Sequence, residues 1–129
     1  MPIKKLLERN AYTIAILITV LVTISSLVSL KGMSSISINI SHFDKIIHAI
    51  SYFTLAISWF FATQNHFNKK NFKVKLILFL ISFGIIIEAI QGGLTTHRQA
   101  DFYDILANSI GVLVGAIFFK KLNLWFDSI

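Results

Sequence analysis

The chain has 129 residues, of which 55% are hydrophobic and only 14% charged, with a mean hydropathy of +0.73. A soluble domain carries about a quarter charged residues, so this composition excludes an ordinary soluble enzyme and points to a single membrane domain spanning residues 1–129. The net charge of +6 rests on Lys and Arg that flank apolar runs, which argues for topology rather than nucleic-acid binding. With no cysteine, disulfides, thiol nucleophiles and thiolate metal sites are excluded.

A bilayer core of about 30 Å needs roughly 17–25 apolar residues per helix, and four stretches qualify. The first, AYTIAILITVLVTISSLVSL (residues 11–30), holds no ionisable group. It follows Lys4, Lys5 and Arg9 as a signal peptide would, but its apolar run is too long and no clear cleavage site follows, so a retained helix is expected. The second span is predicted at 46–62, the third at 74–91 and the fourth at 102–119. Short connections make the expected fold all-α, an antiparallel bundle of four transmembrane helices. Lys4, Lys5, Arg9, Lys69, Lys70, Lys73, Lys75, Lys120 and Lys121 fall on one side, against Lys31, Lys45 and Arg98 on the other. That asymmetry predicts both termini and the loop between the second and third spans in the cytoplasm.

The polar residues of the last three spans share one expected depth, near the outer side. Asp44 and His48 are spaced i, i+4 with Lys45 between them; Glu88 and Gln91 are i, i+3; Asp101, Asp104 and Asn108 are i, i+3, i+7. Each set therefore occupies one helix face, and inward convergence avoids a cost of about 2.5–3.5 kcal/mol per carboxylate facing hydrocarbon. The inner halves of these spans carry no ionisable group beyond flanking lysines, so a site with one outward mouth is expected. Asp44 and His48 suit an acid/base pair or, with Glu88 and Asp104, a set of ligands for a divalent cation; no other cofactor is indicated. Asp44 also suits a simple cap at the start of the second span. Arg98 is read as an anion clamp or an internal partner of Asp101 and Asp104. His42 and His97 are read as loop residues, Tyr52 and Tyr103 as interfacial or packing residues, and Trp59 as part of an aromatic belt. Ala107, Gly111 and Gly115 form a small-residue stripe, expected to serve helix packing within the bundle.

Three blocks in order, DKIIHAISYFTL (44–55), IEAIQ (87–91) and RQADFYDILANSIGVLVG (98–115), resemble the VanZ-like family of small bacterial membrane proteins. The matching positions are Asp44, Lys45, His48, Glu88, Gln91, Arg98, Asp104, Asn108 and Gly111, while GGLTTH before Arg98 lacks the proline of the pattern. The resemblance implies a multi-pass protein of the bacterial inner membrane, and a link to tolerance of the glycopeptide teicoplanin. Recognition of an envelope lipid headgroup or cell-wall precursor is the leading functional expectation. The rival classes are a membrane-embedded hydrolase or transferase acting on such a headgroup, and a structural subunit without a ligand. The sequence leaves the oligomeric state open.

Overall fold

The computed structural model describes residues 2–27, 40–94 and 102–128. All of its regular structure is helical: α1 (Pro2–Arg9), α2 (Ala11–Leu27), α3 (Ile40–Thr63), a 3₁₀ turn (Gln64–His66), α4 (Phe72–Leu94) and α5 (Phe102–Ser128). Three helices, α3, α4 and α5, are long and apolar enough to cross a membrane. The joined pair of α1 and α2 makes a fourth candidate, bent by 62°. Large apolar side chains cover the outside, among them Leu17 (57% exposed), Phe79 (65%) and Ile117 (67%). A surface this apolar is stable in hydrocarbon and not in water.

Several expected boundaries move. α3 begins at Ile40, six residues before the predicted span, so Asp44 lies inside the helix and the capping reading is overturned. His42, expected in a loop, falls within the same helix. α5 runs to Ser128, past the predicted end of the fourth span, with Lys120 and Lys121 outward and Leu122 and Phe126 half-buried. The segment before the first span, expected as a tail, forms α1, where Ile3, Leu6 and Leu7 alternate with Lys4, Lys5 and Arg9 in the amphipathic pattern of an interfacial helix.

The bundle is organised around α3 and α5. Lipid tails are as apolar as leucine, so helices in a bilayer associate through close packing and hydrogen bonds. In the stripe of small residues, Gly111 and Gly115 meet Ala49, Phe53 and Ala56 of α3, and Ala107 is buried. A Cβ on Gly111 would collide with the carbonyl oxygen of Ala49 and lie 3.0 Å from the Phe53 nitrogen; one on Gly115 would lie 2.9 Å from the Ala56 Cβ. Below this seam, Tyr52, Leu55, Ala56, Phe60, Leu80, Val112, Ala116 and Phe119 form the core. α2 is tied on by the Trp59 indole, which donates to Thr19 Oγ1 at 2.9 Å, so Trp59 joins two helices. Three hydroxyls of α2 also bond within the helix: Thr19, Thr23 and Ser25 each donate to the carbonyl one turn back.

The seam yields a paired prediction. Gly111→Ala forces backbone against backbone and should destabilise the bundle by about 1–3 kcal/mol, the usual cost of overpacking. Gly93→Ala has nothing within 4 Å of the added methyl and should leave stability unchanged or raised. Unfolding in detergent followed by circular dichroism measures both, and equal midpoints for the two variants would refute the close approach.

Candidate functional site

The polar residues gather at one end of the bundle, where α3 begins, α4 ends and α5 begins. The same α3–α5 approach that seats Gly111 on Ala49 sets His48, one residue away, opposite Asn108. His48 Nδ1 lies 3.1 Å from Asn108 Oδ1. With that oxygen accepting, Nδ1 donates, and Nε2 is the nitrogen that faces the carboxylates. It stands 3.7 Å from Asp44 Oδ2 and 3.7 Å from Asp104 Oδ2. Lys45 Nζ approaches Asp104 Oδ1 at 3.4 Å and lies 5.9 Å from the centre of the Tyr103 ring.

Burial makes this cluster costly. Asp104, Asn108, Glu88 and Gln91 are all at most 2% exposed, and His48 is 7% exposed. Carboxylates brought into an apolar interior need compensating positive charge and hydrogen bonds, or they are expelled or neutralised. Lys45 supplies part of that charge from the rim, its aliphatic stem reaching from a half-buried position. Asp44, His48 and Asp104 each offer one ligand atom, all within 4.8 Å of one another, a spacing open to a proton, a cation or a ligand amine.

α4 closes the third side. Gly84, buried one turn before Glu88, leaves room for the edge of Tyr52 and the side chain of Asn108; an added Cβ would lie 3.1 Å from Tyr52 Cε1 and 3.3 Å from Asn108 Cβ. Glu88 is within electrostatic reach of Tyr52. Gln91 donates through Nε2 to the carbonyl of Ser26, in the last described turn of α2, and so ties the first span to the site.

Of the residues expected from sequence, the structure brings Asp44, Lys45, His48, Asp104 and Asn108 into direct mutual contact. Glu88 and Gln91 are buried on the neighbouring face of α4. Among the described residues, the three-member ligand group comprises Asp44, His48 and Asp104, without Glu88. Arg98 and Asp101, together with His97, lie outside the described residues. Tyr52, read as an interfacial or packing residue, is a packing residue of the core that also adjoins the site, a place the sequence reading did not give it. It is 1% exposed, its hydroxyl has no hydrogen-bond partner among the described residues, and it forms the floor of the cluster. The spacing Asp44, His48, Tyr52 (i, i+4, i+8) carried that signal, since all three share one face of α3.

Long apolar helices around a buried set of ionisable side chains mark the class of multi-pass membrane proteins. The sequence profile of the VanZ/LLP1 family matches residues 3–126, and the chain belongs to that family. No curated protein and no solved structure matches it.

Two lysine ion pairs that join distant segments differ in burial, and this predicts different strengths. Asp104 is 1% exposed at its side chain, whereas the Lys4–Asp127 pair links two solvent-reaching side chains. A double-mutant cycle on Lys45 and Asp104 should return a coupling of about 1.5–3 kcal/mol, as for hydrogen bonds to buried charged groups. The same cycle on Lys4 and Asp127 should return about 0.2–1 kcal/mol. Equal couplings in detergent unfolding would show that the cluster is solvated.

Proposed function

We propose that the polar cluster is a recognition site for the headgroup of an envelope lipid or a lipid-linked cell-wall precursor. The observation that carries this reading is the mixed charge of a buried set: Asp44, Asp104 and Glu88 beside Lys45, His48, Asn108 and Gln91. Carboxylates accept from the hydroxyls and amines of such a headgroup, and a cation meets its phosphate. Lys45 is the cation in hand, and Arg98 adds a second by the family pattern. Ionisable groups inside a membrane domain are expensive, which favours a functional role over incidental placement. In this reading the domain occupies residues 1–129 as an antiparallel four-helix bundle in the bacterial inner membrane. Both termini are cytoplasmic and the polar end faces outward. Contribution to teicoplanin tolerance follows if the bound molecule is one on which the antibiotic acts.

A second reading has a specific observation in its favour. The convergence of Asp44, His48 and Asp104 within 4.8 Å suits a divalent cation, and with it metal-assisted hydrolysis or transfer at a headgroup. Stoichiometric metal in the purified protein, lost in Asp104→Asn, would favour it over binding alone.

Two experiments test the main proposal. Glu88→Ala and Asp104→Asn, expressed at wild-type level, should abolish any envelope or teicoplanin phenotype of the intact protein. Folded variants with an unaltered phenotype would overturn it. Because the chain has no cysteine, single introduced cysteines report topology cleanly. Asn68→Cys and Ser128→Cys should be shielded from a membrane-impermeant thiol reagent in intact cells, and Thr96→Cys should react.

A further inference from the structure

The end of the molecule opposite the polar site contains an apolar crevice of about 220 Å³ between α2, α3 and α5. Leu7, Ala11, Ile14 and Ile18 form one wall, Thr54, Ile57, Ser58 and Phe61 the second, and Phe119, Leu122, Asn123 and Phe126 the third. Its walls are held in place by contacts that have no part in the polar site. Lys4 pairs with Asp127, joining α1 to the tail of α5, and the rings of Phe61 and Phe126 meet at 6.0 Å. The hydroxyls that might have made the crevice polar are spent within their own helix, Thr54 donating to the Ile50 carbonyl at 2.9 Å and Ser58 to that of Leu55 at 2.7 Å. Beyond the Asn123 amide, the space therefore offers a visitor almost no hydrogen bonds, and its exposed lining is nearly all apolar. It is also smaller than the roughly 300–1,000 Å³ of ordinary small-molecule pockets. A single hydrocarbon chain fits that description. Along each helix the lining spans about two turns, or ~10 Å of rise, which lies within the hydrocarbon of one leaflet.

The surroundings of the crevice are strongly basic. Lys5 and Arg9 on α1 and Lys120 and Lys121 on α5 are all exposed, whereas Glu8 and Asp127, the acids of these two segments, both stand against Lys4. Lys69, Lys70 and Lys73 follow the end of α3 at the same end of the bundle, with Lys73 drawn 5.9 Å over the Phe60 ring. An amphipathic helix bent by 62° from its span, with cations on its polar side, has the character of a helix that lies along a bilayer surface.

We propose that this crevice is a binding site for an anionic phospholipid, one acyl chain between α2, α3 and α5 and the phosphate on the exposed cations of α1 and α5. The site is separate from the polar cluster and does not depend on the function assigned there. Occupancy fills the gap between the bent N-terminal pair and the α3–α5 core, so the lipid acts as a structural ligand of the bundle.

The full-length protein is reconstituted into vesicles of equal phosphatidylglycerol and phosphatidylcholine with matched chains, extracted, and its retained lipid counted by native mass spectrometry. Phosphatidylglycerol should be retained in clear excess. The pair Lys120→Gln and Lys121→Gln should lower that excess by roughly tenfold, since each cation near the surface contributes to anionic-lipid attraction. Ser58→Phe, which fills the crevice, should abolish retention with every cation in place, and Thr54→Phe provides a second filling variant if the first does not fold. Equal retention of the two lipids by the wild type would overturn the proposal. So would undiminished phosphatidylglycerol on a filled variant of unchanged helicity, or on the doubly substituted lysine variant.

Discussion

The α3–α5 seam carries the structure. A bilayer gives helices no hydrophobic reason to associate, so the bundle depends on shape, and here the shape is backbone against backbone at Gly111 and Ala49. That contact does more than hold two helices together. It sets the register in which His48 faces Asn108 and Asp104, one turn toward the polar end, and in which the tilted rings of Phe60 and Phe119 meet at 5.7 Å toward the other. A helix slipped by one turn would keep the apolar packing roughly intact and leave Asp104 without His48. The small residues and the polar residues of α5 are thus two parts of one specification.

The cluster that results is expensive and therefore informative. Its members compensate one another: Lys45 and His48 both face Asp104, and Asn108 fixes the imidazole. A buried network of this kind adds little net stability compared with an apolar core of the same volume. What it does provide is a set of oriented donors, acceptors and charges at a fixed place in an otherwise featureless solvent. That property is the physical basis for reading it as a recognition site, and membership of the VanZ/LLP1 family places the chain among proteins that share this membrane domain.

The two ends of the bundle are chemically unlike, and the difference follows from what each must meet. One end buries its charge between helices. The other spreads Lys and Arg outward over α1, the connection after α3 and the tail of α5, and leaves an apolar crevice beneath them. Exposed cations at the second end cost little, and the aliphatic stems of such side chains cover apolar surface.

Much of this was legible without coordinates. Hydropathy alone determined that the chain is helical and apolar enough to cross a membrane several times, because a bilayer permits few other backbone solutions. Helical spacing determined that Asp44 and His48, Glu88 and Gln91, and Asp104 and Asn108 would form faces, since 3.6 residues per turn leaves no alternative. The boundaries were less legible: α1 and the extension of α5 lie where amphipathic character replaces uniform hydropathy, and Asp44 falls inside a helix that starts in a more polar segment. Only tertiary structure decided which faces meet. The identity of Asp104 as the shared partner of Lys45 and His48, the burial of Tyr52 beneath them, and the bond from Gln91 to α2 all depend on distances between helices. Those distances are set by side-chain volume at the crossing points, a quantity that no single helix contains.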